Sequence, residues 1–317
     1  MTFARYVLRR LALALLSLVV ASGLIFAMLR LLPGDIAETK LGVGATPEAV
    51  AQLRAELGLD RPAVVQYGEW LTNAITGDLG KSLISEVSVS SELASKSQVT
   101  LPLVLASAML SLILALPLGL IAALRSRRPD GTALSVTSQL GMAIPTFWVG
   151  VILITIFAVN RNVLPAGGFP EGGWSDTAEA TRSLTLPVVT LTIAQVAVLM
   201  RFARSSALDT LNHDFFRTAR ATGLTKFQAL RIHGLRNSLV PVVSVLGIQV
   251  STLIVGAIVV ESVFALPGIG QMLLQDVAIR DFNKVMGTLV VAMGVVFIVS
   301  FITDLIIGLL DPRTIKR

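Results

Sequence analysis

Six stretches of this sequence carry no charged side chain and meet or approach the length needed to cross a bilayer. They are Leu11–Leu29, Val99–Leu124, Thr132–Val159, Ser183–Met200, Asn237–Val260 and Val285–Thr303. A helix needs about 20 apolar residues to span a hydrocarbon core of about 30 Å. The fourth stretch has only 18 residues, while the third has 28 and is expected to tilt or to break near Pro145. Charged residues make up 15% of the 317, against about a quarter in a soluble domain. That deficit runs the whole length, which argues against a soluble enzyme, a secreted module and a disordered scaffold. An all-α polytopic membrane protein with six transmembrane helices is predicted.

Six spans put both ends of the chain on one side, and Lys and Arg say which. With the N-terminus cytoplasmic, the inner face collects Arg5, Arg9 and Arg10, then Arg125, Arg127 and Arg128, the cluster from Arg201 to Arg236, and Arg313, Lys316 and Arg317. These are 16 of the 26 basic residues against five acidic ones, so the inner segments carry +11 and the outer ones −5. This obeys the positive-inside rule. A pI near 10.2 therefore calls for no nucleic acid. The first apolar run follows the basic Arg9-Arg10 pair but continues to Leu29, longer than the apolar core of a signal peptide, so residues 1–32 are predicted to be an uncleaved anchor helix.

The absence of cysteine excludes thiolate zinc sites, Cys-ligated clusters, disulfides and catalytic thiols, and His213 with His233 are too few for a multi-histidine metal centre. Gly80-Lys81-Ser82 looks like the end of a P-loop, but Ile75 stands where the first glycine is required. Neither a His-Glu-x-x-His zinc motif nor a Gly-x-Ser-x-Gly nucleophile elbow is present. An integral-membrane enzyme thus lacks a visible catalytic constellation. A structural subunit, a free-standing channel and a secondary transporter remain as alternatives of other classes.

Two polar insertions interrupt the spans. Within residues 33–98, Thr46-Pro47-Glu48 reads as a helix start, with Val50, Leu53 and Leu57 on one face and Gly58 as the stop. A second helix is expected from about Pro62 to Ile75. The pair is either a cap on the helix bundle or a docking surface. Between the fourth and fifth spans, Asn212 can cap a short helix whose Phe215, Phe216 and Ala219 form an apolar patch, ended by Gly223. Thr225 and Gln228 then have capping-box spacing. Such a patch of phenylalanine needs a cover, which can be the protein's own helices, the bilayer interface or a partner.

Here the residues carry a resemblance. Phe216-Arg217-Thr218-Ala219-Arg220-Ala221-Thr222-Gly223-Leu224, followed by Leu235-Arg236-Asn237-Ser238-Leu239-Val240-Pro241, resembles the coupling loop of binding-protein-dependent ABC importer permeases. The family signature of Glu-Ala-Ala, three residues and Gly lacks its Glu here, since Arg217-Thr218-Ala219 stand in those places. The interval from Gly223 to Pro241 is also longer than in the general form, and both departures are similar to the dipeptide/oligopeptide/nickel branch. Tyr6–Leu11, Leu29–Asp35, Leu57–Pro62, Gly77–Gly80, Ile144–Trp148, Phe264–Gly270 and Leu310–Arg313 look like further pieces of that branch in the expected order.

The resemblance implies a type I importer (MetI-like) permease fold in a bacterial or archaeal inner membrane, with residues 99–317 as the permease core and 204–238 as its coupling loop. It implies a second permease subunit, two cytoplasmic ATPases carrying ATP and Mg, and an extracytoplasmic solute-binding protein. This chain itself would bind no cofactor. Phe215, Phe216, Arg217, Thr218, Ala219, Arg220, Ala221, Thr222, Gly223 and Leu224 would engage the ATPase. Substrates of the branch are dipeptides, oligopeptides, glutathione or nickel complexes, and nothing in the sequence discriminates among them.

Polar groups inside the spans are the remaining candidates for a pathway. Gln139, Gln195 and Gln249 are each expected to face the bundle, as pathway lining or as interhelical hydrogen-bond partners, because lipid leaves an amide unsatisfied. Glu261 stands at the outer end of the fifth span, where it would gate or simply be solvated. Asp304 is an intramembrane charge near the inner end of the last span, expected to pair with an arginine such as Arg201 or Arg204 rather than to relay protons.

Overall fold

The computed structural model describes residues 3–31, 36–42 and 44–310; residues 32–35 of the Leu29–Asp35 motif and residues 311–317, with most of the Leu310–Arg313 motif, lie outside the described residues. A long helix α1 (Phe3–Leu31) is followed by three short ones, α2 (Ile36–Leu41), α3 (Pro47–Glu56) and α4 (Ala63–Ile75). Then come α5 (Val89–Leu124), α6 (Pro129–Ala143) and α7 (Thr146–Leu153), the last extended by a π-helical turn over Ile154–Asn160. The second half holds α8 (Thr177–Asn212), α9 (Asp214–Ala221), α10 (Lys226–Ala229), α11 (Leu235–Val263), α12 (Ile269–Ala278) and α13 (Phe282–Leu310). Among the described residues the extended pairing is one isolated antiparallel bridge, Lys81 with Ser88.

Five helices, α1, α5, α8, α11 and α13, are long and apolar enough to cross a membrane, and α6 with the extended α7 makes a sixth if the bent pair counts as one span. The bend is 99°. Its cause is local. Proline crowds the residue before it out of the helical region, and Ile144 accordingly takes ψ 123° while Pro145 takes ψ 134°. Two extended residues in succession turn the chain. The break expected near Pro145 is therefore real, and it is sharper than a tilt.

Packing divides the chain into two compact units. The first is built on Leu101–Leu266, with the chain up to Arg10 and from Ile298 onward. Its centre is α8, of whose apolar window 61% is buried, against 28% or less for the other long helices. That helix packs against α6, α7 and α11. Small residues allow the approach: a Cβ placed on Gly119 of α5 would lie 2.6 Å from Ala203 Cβ and 2.8 Å from the Met200 carbonyl oxygen of α8. Close backbone contact of this kind drives helix association in lipid, where apolar burial gives little. Around it Ala115, Ala122, Leu199 and Met200 are buried together, with Leu118 and Val196 packed against them. On the exterior, Ile298, Ile302, Ile306 and Leu309 form an exposed stripe at helical spacing along α13. Hydrocarbon accepts such a stripe and water does not.

The second unit comprises Leu11–Thr100 and Pro267–Phe297. The predicted start of α3 is present: the Thr46 hydroxyl accepts from the Ala49 N–H at 3.3 Å, Pro47 opens the helix, and Gly58 follows its end at φ +66°. Arg61 grips Glu69 with two hydrogen bonds of 2.8 and 2.6 Å. Tyr67 ties α4 to α1 by donating to the Val19 carbonyl at 2.9 Å. Neither α3 nor α4 contains a buried residue. Elsewhere in the unit Val89, Leu93 and Met272 form a small core with Leu79, Ile269 and Val291 packed on it.

Candidate functional site

The segment after α8 divides its apolar residues between two tasks. His213 leaves helical geometry at ψ 149° and stands at the head of α9 without a side-chain cap bond. The cap expected from Asn212 is absent because Asn212 is still the last residue of α8. Phe216 and Ala219 turn inward, where they pack with Ala229 and Leu230 and against Leu120, Leu124, Leu211 and Leu224. The expected exposed patch is thus half internal: burying Phe216 is worth about 3 kcal/mol to this chain by itself.

What remains outside is Phe215, 38% exposed and stacked on the His213 ring at 5.7 Å, with Phe227 at 61% and Ile232 at 63%. Arg217 is exposed and lies 3.6 Å from Asp214. The Arg220 guanidinium donates to the Leu224 carbonyl, bracing the turn, and the Thr218 and Thr222 hydroxyls donate back to Asp214 and Ala219 carbonyls. Ala221 is exposed. Gly223 takes φ +93°, the left-handed residue that stops α9. The predicted capping box is complete, with Thr225 and Gln228 each bonding the other's backbone N–H.

The bend after α6 borders a cavity of about 450 Å³ lined by residues of α6, α7, α8 and α11. Gln195 and Gln249 both face it and bond to each other, Gln249 Nε2 donating to Gln195 Oε1 at 2.8 Å. The interhelical hydrogen bond expected of these glutamines is present, and both side chains also border the cavity. Gln139 differs. It is exposed on α6 and absent from the cavity, while its neighbour Ser138 faces inward and donates to the Ala197 carbonyl at 2.7 Å.

Two further expectations are corrected. Glu261 is not solvated: it is wholly enclosed, near the end of α11. Asp304 pairs with Arg10 at 2.8 Å rather than with Arg201 or Arg204, because the start of α1 and the end of α13 come together at the same level. Arg201 instead lies over the Phe202 ring at 5.1 Å. The Gly80-Lys81-Ser82 stretch forms no phosphate cradle: the Ser82 hydroxyl is bound to the Asp281 carboxylate and the Lys81 carbonyl accepts from Asn283.

Sequence reasoning missed one buried ionic cluster. Lys284, at the head of α13, reaches Asp276 of α12 at 2.7 Å and Glu92 of α5 at 3.0 Å. Burial pushes the Asp276 carboxyl above its ordinary range, and the Lys284 ammonium pulls against that shift. No spacing signal announces a pair that lies 192 residues apart.

Residues 115–316 match the family described as the binding-protein-dependent transport system inner membrane component, and residues 3–104 match the N-terminal membrane component of the same systems. The chain belongs to this family of ABC importer permeases. It is 35% identical over 313 residues to a putative peptide transport system permease protein of Brucella abortus, covering 97% of this chain and 98% of that one. The dipeptide transport system permease DppB of Escherichia coli K12 is 35% identical over 333 residues, with 98% of each chain covered. Among solved structures, the inward-facing MetNI methionine ABC transporter aligns with a TM-score of 0.53 at 19% identity, covering 69% of this chain and 96% of that one. The last likeness is one of fold, that of a type I importer permease.

Proposed function

We propose that this chain is a pore-forming subunit of an ATP-driven importer of di- or oligopeptides. It would work by alternating access with a second permease subunit, two ATPases that hold ATP and Mg, and an external solute-binding protein. The observation that carries this reading is the division of the α9–α10 segment. Phe216 and Ala219 anchor it to α5 and α8 of its own unit, while Phe215, Arg217, Phe227 and Ile232 are left outward for a partner. An element anchored on one side and free on the other can transmit a push. The proposed topology has both ends of the chain and this segment on the cytoplasmic side of the inner membrane, supported by the +11 charge of those segments. The peptide substrate is supported by the peptide and dipeptide permeases among the relatives.

The test is uptake of radiolabelled alanine peptides by proteoliposomes holding the assembled importer, with and without ATP. The proposal predicts accumulation only with ATP and binding protein present. Uptake that proceeds equally without ATP would indicate a channel or a secondary transporter.

A further inference from the structure

A glutamine side chain offers two N–H donors and an oxygen with two acceptor positions. In the Gln195–Gln249 pair one donor and one acceptor are consumed by the 2.8 Å bond between them. That leaves the Gln195 Nε2 donors and the Gln249 Oε1 acceptor without another protein partner among the described residues. Neither atom is among the sealed, unpaired buried ones, although the Gln195 residue is only 5% exposed. Both therefore open on the cavity.

The rest of the cavity wall sharpens the point. Phe147, Leu191, Val198 and Val259 give it an apolar surface, and among the described residues no charged side chain lines it. A site of this volume, mostly apolar with a few placed polar groups, has the usual make-up of a small-molecule site. Ile144 and Thr146, which flank the break at Pro145, line it as well. Irregular backbone at membrane depth is tolerated where it borders such a cavity, and broken helices commonly frame transport sites.

From this we infer that Gln195 and Gln249 form a hydrogen-bonding station that reads the backbone of a passing peptide. A residue in an extended chain presents its N–H and its C=O on the same side, as in a hydrogen-bonded strand pair. The Gln249 oxygen accepts from that N–H, and the Gln195 amide donates to that C=O. Side chains of the peptide rest on the apolar wall. A cationic nickel complex finds no carboxylate here to balance its charge. This inference rests on the peptide-importer reading and adds to it the groups that recognise the substrate within the membrane.

The test uses the complete importer in proteoliposomes, trialanine, and its analogue in which the central N–H is replaced by an ester oxygen. Binding-protein affinities for both are measured separately, and transport is compared at saturating occupancy. Wild type moves the peptide about fivefold faster than the ester, the size of one net hydrogen bond. The Gln195→Leu/Gln249→Leu variant brings that ratio close to one, with ATPase association unchanged. Should the double variant fail to assemble, Gln249→Leu alone, which removes the acceptor of that N–H and keeps the Gln195 donors, also brings the ratio close to one. A ratio near one in wild type, or one unchanged in the variant that assembles, overturns the station and leaves the peptide importer standing. A wild-type complex that transports a nickel chelate but neither alanine compound overturns both.

Discussion

At the residue scale the buried ions are the most exacting feature. Lys284 is 7% exposed and faces Asp276 and Glu92, so removing the ammonium strands two carboxylates in a poorly solvated place. Breaking such a pair from one side costs about 3–5 kcal/mol, while replacing all partners with apolar groups is often nearly neutral. Lys284→Met is therefore expected to lower the thermal unfolding midpoint of the detergent-purified chain markedly. Adding Asp276→Leu and Glu92→Leu should restore most of it. A single variant as stable as wild type would show that the cluster contributes little. The same scale shows what a sequence hides. Phe215 and Phe216 are adjacent and identical, and about 100° of helix rotation separates them. Which one faces inward is decided by Leu120, Leu124 and Leu211, all distant or on another helix, and so could not be read locally.

Elements were far more legible, for a physical reason. A bilayer imposes one solvent on a span, so its residues must be predominantly apolar, and the signal is long and one-dimensional. The helix starts at Thr46-Pro47 and Thr225-Lys226 were equally readable, because a cap bonds to backbone only three residues away. Pro145 announced its break through its own ring. The pairing of Arg10 with Asp304 and of Lys284 with Glu92 was not announced, since it depends on which helices end at the same level. The site was half legible. Glutamine in an apolar span marks itself as inward-facing, which served for Gln195 and Gln249 but not for Gln139. Packing between elements gives a further expectation. Gly119→Val would drive a side chain into Ala203 and the Met200 carbonyl, and overpacking costs about 1–3 kcal/mol. A lower unfolding midpoint, partly rescued by Ala203→Gly, is expected. No change on Gly119→Val would show that α5 and α8 approach less closely.

At the scale of the whole molecule, this sequence serves three environments. Apolar stripes such as Ile298–Leu309 meet lipid, a nearly uncharged cavity holds the glutamine pair, and a basic segment carries the outward face of α9 and α10. That face is where force from the ATPases is proposed to enter. The chain has no cysteine, so single replacements can be cross-linked without background. Phe215→Cys and Phe227→Cys keep the internal anchor Phe216, whereas Val64→Cys on α4 is 82% exposed and lies, by the proposed topology, on the other side of the membrane. With a short linker carrying a thiol-directed maleimide at one end and a photoreactive benzophenone, which inserts into a neighbouring C–H bond, at the other, Phe215→Cys and Phe227→Cys in the intact importer should each yield a permease–ATPase adduct on illumination, its yield changing with bound ATP, and Val64→Cys should yield none. An adduct from Val64→Cys, with none from the two α9–α10 positions, would contradict the proposed coupling.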